Sequence, residues 1–252
     1  MAAGIKVAII TGAGQGIGAG VARSFAAAGY KVSLMSPSER SVRLARELGG
    51  IGRQGSALET ADLEALVAAT RRDYGRIDAV VNNIGHGSGN APSVTTGTVF
   101  DPAAFADPLD FPDETWHRAL DMYVLSVVRM ARLVAPVMAA QGGGAFVNIS
   151  SLNATEPRPG YAQMSVLRAA LHGFTKLFAD KYAAKNVRMN NVMPGYCENV
   201  AMTEAALRSI PMGRTARFGE IGSVCVFLAS EGASYMTGQN VLVDGGINRA
   251  VR

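Results

Sequence analysis

Val7-Ala-Ile-Ile-Thr11-Gly-Ala-Gly-Gln-Gly-Ile-Gly18 is an apolar run that breaks into glycines and then opens a helix. Lys6 to Ile10 has the β-branched, apolar character of a buried parallel strand. Gly12, Gly14, Gly16 and Gly18 follow, and Ala19 to Ala28 is small and apolar up to Gly29, a plausible helix stop. Glycines in that position let the backbone turn tightly and approach a pyrophosphate, whose charge sits at the helix N-terminus. A glycine-rich loop alone is weak evidence. The strand before it, the helix after it and a βα repeat downstream make it strong.

The spacing of Thr11, Gly12, Gly16 and Gly18 resembles the short-chain dehydrogenase/reductase family. Two further stretches carry the same resemblance: Asn82-Asn83-Ile84-Gly85, and Thr237-Gly-Gln-Asn-Val-Leu-Val-Asp-Gly-Gly246 near the C-terminus. The resemblance covers essentially the whole chain. It implies one dinucleotide-binding domain over 1–252, a doubly wound parallel sheet of the Rossmann type with helices on both faces. The alternation of strand and helix patterns independently points the same way.

The totals agree. The 252 residues are 48% hydrophobic and only 17% charged, enough to bury a sizeable core. The formal net charge of +4 has no basic block behind it, which argues against nucleic acid. Cys197 and Cys225 have no metal or redox spacing and read as free thiols in a reducing cytoplasm; no metal site is expected. No apolar run in the sequence approaches membrane length, and the N-terminus runs straight into the first strand, so the expectation is a cytoplasmic protein with no membrane partner.

In dinucleotide folds the end of strand two meets the adenosine ribose, where an acid selects NAD. That place falls on Ser36, followed by Ser38 and Arg40, so the expected preference is NADP(H) over NAD(H). The resemblance places Gln15 and Ile17 in the glycine loop, and Ser56 and Ala57, where the family usually has an aspartate, near the adenine. It also places Asn83 and Gly85 under the cofactor, and Pro194-Gly195 over the nicotinamide.

The family's common members use asparagine, serine, tyrosine and lysine. Serine maps to Ser151. The flank Ala169-Ala-Leu-His-Gly-Phe-Thr-Lys176 puts Arg168 at the lysine and Met164 at the tyrosine, and Tyr123 falls at the asparagine. Three of the four depart. Met164 cannot donate a proton, and Arg168 can hold ribose hydroxyls but cannot pass a proton on. Tyr161 lies two helical turns before Arg168, a Tyr-x6-Arg spacing similar to the Tyr-x6-Lys of the enoyl-acyl-carrier-protein reductase branch. The expected catalytic set is therefore Ser151, Tyr161 and Arg168. Tyr161 could equally just open the helix.

Two functions are compatible with this. One is an NAD(P)(H)-dependent oxidoreductase acting on a small carbonyl, alcohol or conjugated enone. The other is a dinucleotide-binding sensor or partner subunit with little redox activity. Residues 86–112 and 195–212 are expected to wall the substrate pocket, with His86 a candidate substrate contact. Glu114 to Ala140 reads as one long helix. With the helix from Tyr161 it resembles the family's twofold packing surface, implying a homotetramer or a homodimer.

Overall fold

A computed structural model describes residues 5–85, 107–158 and 161–250. Seven parallel strands form one sheet in the order β3-β2-β1-β4-β5-β6-β7. They are β1 Val7–Thr11, β2 Lys31–Ser36, β3 Ile51–Gln54, β4 Ala79–Asn82, β5 Gly144–Ile149, β6 Val187–Pro194 and β7 Asn240–Val243. The order reverses between β1 and β4, which opens a crevice beyond the strands' carboxyl ends.

Buried aliphatic strands leave both sheet faces to be covered. On one face α1 (Gly16–Ala27) and α8 (Phe218–Ala229) pack with Val21, Phe25, Ile221 and Leu228 against Ile10, Val81 and Val147. On the other face lie α3 (Thr60–Tyr74), α5 (Ser126–Ala140) and α6 (Ala162–Tyr182). They bury Leu66, Met130, Met138 and Phe178 against Ile9, Val80 and Phe146. Fully burying one such side chain is worth about 1.5–3 kcal/mol.

Most expected elements appear within one to three residues of their predicted ends. α1 begins three residues earlier than expected, at Gly16, and its small residues let it press on α8. A Cβ on Gly20 would come within 2.4 Å of the Phe218 Cβ, and one on Gly222 within 2.2 Å of the Ser24 Oγ. β6 runs on through Pro194, and the 195–212 segment expected to wall the pocket holds a short helix, α7 (Glu204–Arg208).

The long helix differs in a way that matters. α4 (Asp113–Leu120) passes into a single π turn, Asp121–Leu125, before α5 begins. Arg129 and Asp121 bridge the wide turn at 2.6 Å, and the Ser126 hydroxyl donates to the Met122 carbonyl. Such turns shift the register of the helix face and recur at functional sites. Contrary to the expectation that no apolar run reaches membrane length, Asp113–Ala140 is long and apolar enough to cross one. Its apolar stripe is buried in the protein core, where Val127, Met130, Val134 and Met138 lie beneath the sheet. His86 and most of the segment 86–112 lie outside the described residues. Within it, Asp107 caps a 3₁₀ turn, Pro108–Asp110, that leads into α4.

Candidate active site

The glycine loop is locked from below. Gly12 has φ +62°, and a Cβ there would sit 1.9 Å from the Asn83 carbonyl oxygen. Asn83 completes the lock: its amide N–H donates to the Thr11 hydroxyl at 3.2 Å and its side chain donates to the Gly12 carbonyl at 3.1 Å. Gly18 is equally tight, 2.2 Å from the Gly12 oxygen. Gly16, at φ +57°, has nothing nearer than the Phe218 ring at 3.9 Å, so the upper surface of the loop is open. This is the cradle a pyrophosphate needs at a helix N-terminus, bare backbone on top and packed glycine beneath. The residues present fit a dinucleotide.

Beside the loop, Gln15, Ser36, Ser38 and Arg40 come together. Arg40 donates to the Gln15 side chain, the Ser36 hydroxyl donates to the Ser38 carbonyl at 3.0 Å, and Gly14 leaves room for Ser36. The sequence reading passed over Glu39, which is exposed at the start of α2 (Arg40–Glu47). At the end of β3, the Ser56 N–H donates to Asp62 of α3 and its hydroxyl accepts from Leu58, so this loop is tied down just before Ala57. Gly195, following Pro194, donates to the Val243 carbonyl, and a Cβ on it would meet Asp244 at 2.8 Å.

The strand ends that carry the chemistry are joined by a row of amides. Asn82 donates to Asn148, Asn148 to Asn191 and Asn191 to Asn240, at 2.8, 3.0 and 2.7 Å, running from β4 to β7. Thr175 of α6 joins the row at Asn191. Of these asparagines the sequence reading singled out only Asn82, within the Asn82-Asn83-Ile84-Gly85 stretch. It missed the row because the strand register that aligns the others is not local.

Ser151 stands just past β5, half-buried, its oxygen accepting from the Asn153 N–H at 3.2 Å. Its neighbour Ser150 shares a buried 2.8 Å hydrogen bond with His172, a pair the sequence reading also missed. Tyr161 is not inside α6 but at its N-cap, with φ −135° and its N–H donating to the Arg158 carbonyl. Burial pushes its phenol up to about 12, and the cation that opposes this is Arg158, not Arg168. Arg158 itself donates to the Tyr196 hydroxyl at 2.9 Å and lies 3.7 Å from Glu156.

Arg168 is buried, at 4% exposure. One guanidinium nitrogen donates to the Ile84 carbonyl at 2.5 Å, and the group lies 4.5 Å above the Tyr123 ring. Burial lowers it to about 10, with Tyr123 opposing that fall, so it stays charged at neutral pH. Among the described residues no carboxylate pairs with it. Met164 packs with Ala119 and Tyr123, and Tyr161 lies against the same cluster.

Comparison with known proteins agrees with this geometry. A family model described as enoyl-(acyl carrier protein) reductase matches residues 12–248. The chain belongs to the short-chain dehydrogenase/reductase family. It is 33% identical to the oxidoreductase UcpA of Salmonella typhimurium over 96% of this chain and 94% of that one. It is 30% identical to the 3-oxoacyl-[acyl-carrier-protein] reductase FabG of Escherichia coli, over 96% and 97%. A solved 7α-hydroxysteroid dehydrogenase, complexed with NADH and 7-oxo glycochenodeoxycholic acid, superposes with a TM-score of 0.83 at 28% identity, over 98% of this chain and 96% of that one. As a short-chain dehydrogenase/reductase, this chain is an NAD(P)-dependent oxidoreductase.

Proposed function

We propose that the protein interconverts a carbonyl and an alcohol, or reduces a conjugated enone, on a small molecule, with NADP(H) favoured over NAD(H). The observation that carries this is the buried Arg168 cation, held over the end of β4 beside the glycine cradle and free of any described carboxylate. One relative is by name a 3-oxoacyl reductase and the solved dehydrogenase is complexed with a 7-oxo acid, which supports a carbonyl substrate. The bound dinucleotide supplies a hydride. Gln15, Ser36, Ser38 and Arg40 would read its adenosine ribose, and Arg168 its nicotinamide ribose. Ser151 and Tyr161 would hydrogen-bond the substrate oxygen as negative charge develops there.

The test is cofactor oxidation screened over ketones, aldehydes and enones, followed by Tyr161→Phe on the best substrate. Turnover should fall about ten- to a thousandfold with cofactor affinity unchanged, the cost of one well-placed donor. No oxidation with any of the three classes would overturn the reading.

Assembly belongs to the same proposal. Val166 and Leu177 on α6 and Leu125 on the π turn are exposed, as are Phe227 of α8 and Tyr235 just before β7. Two separate apolar faces suit a homotetramer, with a homodimer if only one is used. Light scattering at micromolar concentration distinguishes these from a monomer.

A further inference from the structure

Arg168 lies over Tyr123, a phenol on the facing helix, whereas Arg158 is the cation beside Tyr161. We propose that Tyr123 delivers the proton to the substrate oxygen: the phenol absent at Met164 is supplied across the site by the π turn, with Arg168 as its cation. The proposal rests on the oxidoreductase reading above.

Three features converge on it. Tyr123 and Met164 pack side by side, so the tyrosine ring occupies space next to the position that lacks a hydroxyl. The Cε1 edge of the ring, next to the hydroxyl carbon, faces Gly85. A Cβ on Gly85 would lie 3.7 Å from the Tyr123 Cε1, which flanks the hydroxyl carbon, and 2.6 Å from the Arg168 Nη2. Gly85 is exposed at the end of β4, on the crevice where the order of the sheet reverses. The π turn, Asp121–Leu125, has Tyr123 at its centre, and its wider register sets the direction of that ring.

The chemistry closes without a proton relay through arginine. The carbonyl carbon takes the hydride of the reduced dinucleotide, and the carbonyl π pair moves onto oxygen. That oxygen takes the proton of the Tyr123 hydroxyl. The tyrosinate left behind faces the Arg168 guanidinium, which stabilises it by charge alone, and water returns the proton. Burial raises the Tyr123 phenol and Arg168 opposes that rise. Tyr161 and Ser151 remain as hydrogen-bond donors to the same oxygen.

Tyr123→Phe is the decisive variant, because it keeps the ring beneath the guanidinium and removes only the hydroxyl. On the substrate found by the screen, turnover should fall about 10²- to 10⁴-fold with cofactor affinity unchanged. Adding Met164→Tyr to that variant should restore part of the loss. An independent readout needs no cofactor: the ultraviolet titration of tyrosinate in wild type minus that in Tyr123→Phe isolates the Tyr123 ionisation. The same difference taken in an Arg168→Met background should move that ionisation up by about one to three pH units. Wild-type turnover in Tyr123→Phe, or a Tyr123 ionisation indifferent to Arg168→Met, would overturn the proposal. A wild-type protein that oxidises cofactor with no carbonyl or enone would instead overturn the oxidoreductase reading, and the titration still decides the Tyr123–Arg168 pairing.

Discussion

The end of β1 and the end of β5 face the same crevice, yet they tolerate change very differently. Around β1 the work is done by backbone. Gly12 and Gly18 stand where a Cβ would come within about 2 Å of a carbonyl oxygen, and the Asn83 side chain ties strand to loop by donating to the Gly12 main-chain carbonyl. No other side chain substitutes for a missing one, so the pattern is kept whole. Around β5 and α6 the work is to place a hydroxyl and a cation near one point. That can be done from either of two facing helices, and here the expected tyrosine is Met164 while Tyr123 and Tyr161 border it. Geometry made of backbone resists substitution; geometry made of side-chain tips can migrate.

The largest effect should come from attacking the rigid side. Gly12→Ala needs a left-handed backbone, costing about 1–3 kcal/mol, and also a shift of Asn83. Dinucleotide titration by fluorescence should show binding lost, and thermal unfolding a lowered midpoint. Gly16→Ala makes the control, since it shares the positive φ but meets nothing within 3.4 Å; it should bind more weakly than wild type yet far better than Gly12→Ala. Equal losses in the two variants would break the contrast between packed and open glycines.

An intermediate effect is expected where the two sides are stitched together. Asn148→Ala strands the buried amides of Asn82 and Asn191, a penalty of about 1–3 kcal/mol. Denaturant unfolding should show that loss in midpoint with an unchanged slope. Turnover should fall more than cofactor affinity, because the row runs under the ends of β4 to β7 rather than under the glycine loop.

How much of this could be read beforehand follows the same division. The glycine loop, the strand sequence and the doubly wound sheet are local patterns, and their positions survived in the structure to within a few residues. The substrate side depends on contacts between distant segments. Tyr123 and Arg168 are 45 residues apart in sequence. A π turn leaves no mark in apolar periodicity here, because the buried stripe belongs to α5 while α4 buries only Ala119. The Tyr161 and Arg168 spacing was read as two turns of one helix, whereas Tyr161 is the cap of that helix and has Arg158 as the cation that opposes the rise of its phenol. The asparagine row was illegible because each member is ordinary within its own strand.

The smallest effect should come from the adenosine end, where the rigid side is read by exposed side chains. Ser36 is buried beneath Gly14, with its hydroxyl on the Ser38 carbonyl, and Arg40 reaches across to Gln15. A 2′-phosphate placed here would meet one guanidinium and two hydroxyls, with Glu39 the nearby opposing charge. Ser36→Asp sets a carboxylate against that phosphate. Two unit charges about 4 Å apart interact by about 1 kcal/mol in water and about 4 kcal/mol near a protein surface. Ser36 is itself buried while Ser38 and Arg40 beside it are exposed, so the effect lies between the two figures, and the preference between the two dinucleotides should move by about tenfold to a hundredfold toward NAD(H). Glu39→Gln should move it a shorter way in the other direction, since that carboxylate opens α2 in full solvent and is well screened. Paired titrations with NADPH and NADH on the wild type and both variants measure this directly. A wild type that binds NADH more tightly, with Glu39→Gln reversing the order, would assign the ribose-reading role of the family's acid to Glu39, three residues past the end of β2, and would remove Arg40 from the 2′-phosphate site.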